Sequence, residues 1–567
     1  MKKQNVFLTL VIIALTLGAC KVPKEFLKDL KVIPSTLEMH GGNVKVTVEG
    51  DFPAKYFNKN MTLTVTPILR SKTTGKELRG TPKVYQGEKV KGNHPTIAYK
   101  TGGKYTQSAE FVYSDDFEVS ELWFEAHAAV KKKEYTFEPV KAADGIIITP
   151  LLVSYEHGEV GTQLLPDKFQ RVIEERQEAE IKFLIQQSII RSSELKTQSV
   201  IDLTKRINDA QTTERLNIKG LEISSYASPD GGVELNEKLA AGREKETNKY
   251  INNELKKIKA SVKIDGKFTA QDWEGFKALM EESDIQDKAV ILRVLSMYED
   301  PEKREAEIKN LSTAYKEIAE TILPQLRRSK LLLAVEVIGK SDEEIAQLAA
   351  DAPEDLTVEE LLYAATLSED WAYREDIYKK VTTSYPNDIR GFNNLGVAYF
   401  SQGNFVDADR QFTKALNIND KEVAANFNKA VIALYNGDLE NAEIYLGNAG
   451  GIGDKLNFAN GVLSIIKGDY AKAVQDFGTA KSNNAALAKI LNKDYSGARK
   501  VLEGIEIPNG KTAYLLAITG ARTNDVTLLT DNLSKAIKLD AAYKIKASKD
   551  AEFLGYAQDA TFQNILK

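Results

Sequence analysis

Cysteine is almost missing: the 567-residue chain has one, Cys20. That excludes a disulfide framework, a thiolate metal cluster and a cysteine nucleophile in the folded body. Histidine is nearly as scarce, with four in all. His40, His94, His127 and His157 are far apart in sequence and have no Asp, Glu or Cys neighbours at ligand spacing. Neither a metal site nor a His-based acid–base mechanism is expected, and the isolated His157 reads as structural or solvated. A basic excess is absent too, since 76 Lys and Arg face 81 Asp and Glu for a net charge of −5. Nucleic acid is therefore not an expected partner. After the first residues no apolar run is long enough to span a bilayer. No Gly-x-Ser-x-Gly elbow, HExxH or P-loop occurs. Gly450-Gly451-Ile452-Gly453 reads as a helix-ending turn, and Lys131-Lys132-Lys133 as a solvated loop. A non-catalytic chain without a cofactor is expected.

The beginning of the chain is informative. Lys2 and Lys3 precede the apolar run Val6 to Leu17, which is too short for a transmembrane helix. Leu17-Gly18-Ala19-Cys20 follows. This resembles a bacterial lipobox, which implies removal of residues 1–19 and lipidation of Cys20. The plainer alternative is a secretory leader with a chance cysteine. Lys21, with no Asp in that place, implies the outer membrane by the enteric sorting rule, with the acyl chains as the only anchor.

Residues 20–143 read as β. Val44–Val48 and Met61–Val65 alternate, Glu110–Tyr113 and Leu122–Phe124 follow, and Gly41-Gly42-Asn43, Thr73-Thr74-Gly75 and Gly102-Gly103 supply turns. An N-terminal antiparallel β-sandwich is expected, serving as a spacer or interaction module. Residues 144–177 read as a connection, an apolar strand Gly145-Ile146-Ile147-Ile148 followed by a polar stretch.

Residues 178–338 read as α/β with a helical insert. Strands are expected at Ala179–Ile185, Leu216–Tyr226 and Leu331–Val337. Helices are expected at Lys196–Ala210, with Val200, Leu203 and Ile207 on one face, and from Asn236 to about Lys257, where Leu235 and Leu239 share a face. The insert carries a capped start at Thr269–Asp272 and a second start at Asp300-Pro301. Between the second strand and its helix lies Ala227-Ser228-Pro229-Asp230-Gly231-Gly232, a turn that offers backbone N–H groups and a helix N-terminus to an anion.

This turn, followed by Asn236, Leu239, Ala240 and Arg243 at Asn-x-x-Leu-Ala-x-x-Arg spacing, resembles the OmpA C-terminal-like domain. Arg327-Arg328 ahead of the last strand resembles it as well. The resemblance implies peptidoglycan binding in a bacterial envelope, with Arg243 pairing a peptide carboxylate, Asp230 answering an amino group and Asn236 holding the loop. The family has an Asp where this chain has Ser228, and whether Asp230 substitutes is left open. For Arg243 the alternative is a helix-surface salt bridge, and for Asn236 a loop-fixing hydrogen bond.

Residues 339–360 read as a junction, acidic and broken at Pro353. Residues 361–567 are helical and repetitive. Phe392, Leu395, Gly396, Tyr399, Gly403, Ala408, Phe412 and Ala415 form one unit. A shift of roughly 34 residues brings Ala430, Gly437, Ala442, Leu446 and Ala449 into register, and a further, shorter shift brings Gly468, Ala473, Phe477 and Ala480. This resembles tetratricopeptide repeats, with clear units from about Ile389 to Ser482. Worn helices are expected around Glu359–Tyr385, Asn492–Leu502 and Ala513–Lys538, closed by Phe553-Leu554 and Phe562. Such repeats stack into a solenoid whose concave side binds protein segments.

Together these readings imply a non-catalytic outer-membrane lipoprotein on the periplasmic face. It would contact peptidoglycan through the central domain and dock an envelope protein through the repeats. The alternative is a pure protein–protein scaffold, an accessory subunit of a secretion, assembly or nutrient-uptake complex, whose OmpA-like domain has no ligand.

Overall fold

The computed structural model describes residues 30–154 and 161–567, the side chains of 312–314 apart. Cys20, its leader and His157 lie outside the described residues. The described residues up to Leu165, together with Asp370–Lys567, form one compact unit, and Pro166–Glu369 forms the other.

In the first unit, eleven strands make one sheet: β1 Lys31–Ile33, β2 Thr36–His40, β3 Asn43–Phe52, β4 Met61–Ser71, β5 Glu77–Arg79, β6 Lys83–Gly87, β7 Thr96–Ile97, β8 Gly103–Val112, β9 Ser120–Val130, β10 Lys133–Thr136 and β11 Val140–Ile147. The alternation read in β3, β4 and β8 puts every second side chain inward. The inward residues of β3 and β8 meet those of β4, β6 and β9 across a shared core. Phe52 lies 5.4 Å from Tyr85 and 6.0 Å from Tyr105, ring to ring. Pairing is not wholly antiparallel, because β2–β11 and β6–β7 run parallel. Gly145–Ile148, read from sequence as an apolar strand opening the connection, falls at the end of a strand that starts earlier, β11, Val140–Ile147. Gly145 sits there at φ +82, where an L side chain would be strained and a Cβ would meet Ala551 at 2.8 Å.

The α-helices of this unit begin with α10, Trp371–Ser384, and the next ten pair as hairpins: α11 Ile389–Ser401 with α12 Phe405–Ile418, α13 Val423–Tyr435 with α14 Leu439–Asn448, α15 Asp454–Lys467 with α16 Tyr470–Phe477, α17 Asn483–Leu491 with α18 Tyr495–Glu503, and α19 Gly510–Thr523 with α20 Val526–Leu539. Of the glycines in the repeat pattern, Gly396 is at a helix crossing, whereas Gly403, Gly437 and Gly468 take positive φ in the turns. A Cβ on Gly396 would lie 2.5 Å from the Phe412 ring, and one on Gly461 2.7 Å from Phe477. These two seams take a large ring because the facing residue has no side chain. The array continues past Ser482 without a break, so the pairs read as worn are complete hairpins, closed by the buried Phe553 and Phe562. The flank expected as Glu359–Tyr385 is divided. α10, Trp371–Ser384, belongs to this unit, while α9, Val358–Ala364, belongs to the second.

The sheet and the repeats join through a buried polar knot. Arg522 donates to Glu552 at 2.6 and 2.9 Å and to Glu38 at 3.0 Å. Thr149 also donates to Glu552. His40 bonds Tyr470 at 2.9 Å and lies 3.3 Å from Glu38.

In the second unit, four strands are ordered β12-β15-β13-β14: β12 Val172–Lys182, β13 Leu216–Tyr226, β14 Ile264–Thr269 and β15 Arg328–Ile338. β15 is antiparallel to both neighbours, and β14 is parallel to β13. α1, Gln198–Thr212, buries Val200, Leu203 and Ile207. α2 spans Val233–Lys257. The insert supplies α3 Trp273–Glu282, α4 Lys288–Met297, α5 Pro301–Asn310, α6 Ser312–Thr321 and α7 Leu323–Leu326. Asp272 caps α3 and Asp300 caps α5, as their sequences imply. α8, Asp342–Asp351, and α9 each open with a capping box, Ser341 with Glu344 and Thr357 with Glu360.

Candidate functional site

Two places bring polar side chains together in a way that chemistry could use. The first is the turn between β13 and α2. The face of α2 that packs inward is Asn236, Ala240, Arg243, Thr247, Ile251 and Leu255. Leu235, expected on an apolar face, is exposed. The helix buries a polar stripe because distant backbone supplies the partners.

Arg243 is 1% exposed. Its guanidinium donates to the carbonyls of Tyr226 at 2.8 Å, Gln187 at 3.0 Å and Leu184 at 3.4 Å, and stands 5.3 Å from the Phe183 ring. Burial pushes its pKa down to about 10, helped by the charge of Arg327 and opposed by Asp230. A helix-surface salt bridge, one of the two sequence expectations, is therefore not what Arg243 makes: it ties two loops to the end of β13. Asn236 donates to the carbonyls of Ser228 and Gly231, both at 3.1 Å, which fixes the turn. Asp230 accepts from Arg327 at 3.1 Å through Oδ2, while its Oδ1 has no partner. Arg327 also donates to the Ser228 hydroxyl at 3.1 Å. Arg328 reaches Glu180 at 3.2 Å and Asp272 at 3.4 Å.

The anion expected at this helix N-terminus comes from the chain itself. Glu305 of α5 accepts from the Gly231 N–H at 2.7 Å. The insert lies over the turn through Trp273, Phe276, Ile308 and Tyr315, leaving a cavity of about 10 Å³ beside Asp230. That is room for one water at most. The sequence brought Asp230, Asn236 and Arg243 to one place and marked Arg327-Arg328 by the same resemblance, but nothing in it placed Glu305 on the turn.

The second place is the inner face of the repeats. Asn394 on α11 and Asn428 on α13 stand one repeat period apart, roughly 34 residues. They are 2% and 0% exposed. Each reads both polar groups of one residue in residues 161–165. The Leu165 N–H donates to Asn394 Oδ1 at 2.8 Å, and Asn394 Nδ2 donates to the Leu165 carbonyl at 2.8 Å. Gln163 makes the same pair with Asn428, at 2.6 and 2.9 Å. Asn393 links the two, donating to Asn394 Oδ1 at 3.0 Å and accepting from Asn428 at 2.9 Å. Asn484 on α17 repeats the pattern on Ser154, at 3.0 and 2.8 Å. Lys455 donates to the Thr162 carbonyl at 2.9 Å, and burial holds its pKa below the usual lysine range.

The asparagine contacts ask nothing of the side chains they hold; Lys455 reaches one, donating to Gln163 Oε1 at 3.0 Å. A primary amide matches the donor and acceptor of one peptide unit, so the array reads backbone. Beside the held segment a cavity of about 370 Å³ opens among Leu164, Trp371, Val397, Phe400, Ser401 and Lys455. The sequence signal for this site is Asn394 and Asn428 at equivalent repeat positions; the aromatic and small seam residues obscured it.

No family model and no curated protein matches the chain. Solved structures similar to it include a tetratricopeptide repeat protein from Parabacteroides merdae, at 12% identity and TM-score 0.30, covering 37% of this chain and 90% of that one. The Cut9–Hcn1 structure of the APC/C hetero-tetramer gives 11% and 0.31, covering 60% and 66%. Yeast Tom70 gives 11% and 0.27, covering 60% and 78%. The repeat assignment rests on the helix pairs and seam residues described above.

Proposed function

We propose that this chain is a non-catalytic scaffold that docks another protein through the inner face of its tetratricopeptide array. The carrying observation is the pair Asn394 and Asn428, buried one repeat apart and each bonded to both polar groups of a single peptide residue. Such a surface fits an extended polypeptide and no small substrate in particular. The leader and Cys20 support placement at the outer membrane by a lipid anchor. The scaffold would then serve a secretion, assembly or nutrient-uptake complex of the envelope. The strand–helix–strand–helix order of the second unit supports an OmpA-like domain there. The internal partners of its turn favour the version without a wall ligand.

The test is photo-crosslinking in living cells from Ser401, at the rim of the inner cavity, against Val406, which is 73% exposed on α12. A defined protein adduct from Ser401, absent from Val406, supports docking. No adduct at Ser401, or the same adducts at both positions, rejects it.

The competing reading is contact with peptidoglycan through Asp230, Asn236 and Arg243. One observation favours it: Asp230 Oδ1 is buried without a partner at the turn. A test through Arg243→Ala would confuse binding with folding, because Arg243 holds three carbonyls. Asp230→Asn is the sounder variant.

A further inference from the structure

The inner face of the repeats already carries an occupant, residues 161–165 of the same chain. We propose that this segment is a tethered internal ligand, and that a partner docks by placing an extended segment of its own on Asn394 and Asn428 in its stead. The inference rests on the docking reading above and adds what the partner must displace.

Three observations carry it. First, Asn394 and Asn428 hold Leu165 and Gln163 through backbone groups, so any extended chain can form the same four bonds, whereas the Lys455 contact to Gln163 Oε1 at 3.0 Å depends on a side chain of the segment. Second, the occupant fills the groove incompletely. Each residue from Gly161 to Leu165 is only half-buried, and the cavity of about 370 Å³ remains beside Leu164. Leu164 packs against this core only in part, so a partner with a larger apolar side chain there would extend into the cavity lined by Trp371, Val397 and Phe400. Third, Asn393, Asn394 and Asn428 are buried and bond one another. An empty groove would leave part of that amide network unsatisfied, and unpaired buried polar groups are costly, so the site favours being filled by one chain or another.

A tethered segment competes at an effective concentration near the millimolar range. An outside segment of equal intrinsic affinity is then largely excluded at micromolar concentration. The partner is thus an extended polypeptide, selected by one apolar residue and by a local concentration or affinity high enough to displace the tether.

The experiment uses the full chain and a fluorescent peptide of residues 161–168 as the probe, read by anisotropy. Gln163→Pro with Leu165→Pro removes the two N–H donors of the tether. This variant should bind the peptide at least about tenfold more tightly than the wild type, and adding Asn394→Ala and Asn428→Ala should abolish that binding. Equal affinity in wild type and variant overturns the proposal, as does binding indifferent to the asparagines. Should the proline variant fail to fold, hydrogen exchange on the wild type decides. Excess peptide should speed exchange at Gln163 and Leu165, and unchanged exchange overturns the proposal. If the tether proves inert while the Ser401 adduct persists, docking stands and only the internal ligand falls.

Discussion

Arg522 and Glu38 meet at 3.0 Å although they lie near opposite ends of the chain. Arg522 follows from the repeat helices and Glu38 from the second strand of the sheet. Between them the sheet and the repeats become one folded body, with Glu552 as the buried third member.

Removing Arg522 should therefore be costly. Arg522→Met leaves Glu552 almost wholly buried without its cation, and loss of one partner from a buried pair costs about 3–5 kcal/mol. Arg522→Met combined with Glu552→Met should recover most of that loss, because the fully buried carboxylate goes with its cation and Glu38, which is partly exposed, keeps His40 at 3.3 Å. Urea denaturation of the three proteins measures both steps.

Glu38 gives the same junction a pH dependence. Desolvation raises its pKa, but the hydrogen bond from His40 and the charge of Arg522 outweigh it and hold the carboxyl below its ordinary value. A depressed carboxyl stabilises the fold above its unfolded pKa, about 4.3, and loses that contribution as pH falls through the lower folded value. Glu38→Gln should be about 1–2 kcal/mol less stable than wild type at pH 7. The two proteins should converge below about pH 4. Parallel stability curves from pH 7 to 3 would contradict this assignment.

Arg243 should behave as a structural tie. Arg243→Ala strands three carbonyls in a buried site and should cost about 3 kcal/mol. Arg243→Lys should rescue little, since one ammonium cannot span carbonyls held by three different guanidinium nitrogens. Thermal melting of both variants checks this without any ligand.

Two glycines on repeat helices separate packing from propensity. Gly396→Ala puts a Cβ 2.5 Å from the Phe412 ring, an overpacking worth about 1–3 kcal/mol that outweighs the ~1 kcal/mol gained in helix propensity. Gly447→Ala meets nothing within 4 Å and should stabilise by about 0.5–1 kcal/mol. Opposite shifts in urea midpoint are expected.

Much of the framework was legible because it is written locally. The seam positions around Gly396 and Phe412 follow a repeat period, the caps at Asp272 and Asp300 lie beside the turns they satisfy, and β13 alternates on either side of the bulge at Ile218–Gly220. What stayed hidden depends on partners far away in sequence. The apolar pair Leu235 and Leu239 drew the eye on α2, yet the buried stripe runs through Asn236 and Arg243. Its burial is tolerable only because carbonyls of Leu184, Gln187 and Tyr226 converge on it. Glu305 on Gly231 is of the same kind, because no local pattern announces that an insert helix will supply the anion. The held segment is hidden for another reason. Backbone recognition leaves no mark on the sequence being recognised, and only the asparagines that do the reading could betray it.

The central claim is that this protein works through its repeats, with the turn at Asp230 closed by its own insert. Co-sedimentation of the full chain with purified peptidoglycan sacculi tests it most directly, with Asp230→Asn alongside. The account predicts that the wild-type chain stays in the supernatant and that the variant behaves identically. Sedimentation of the wild type that Asp230→Asn abolishes would contradict it, and would make the turn a wall-binding site after all.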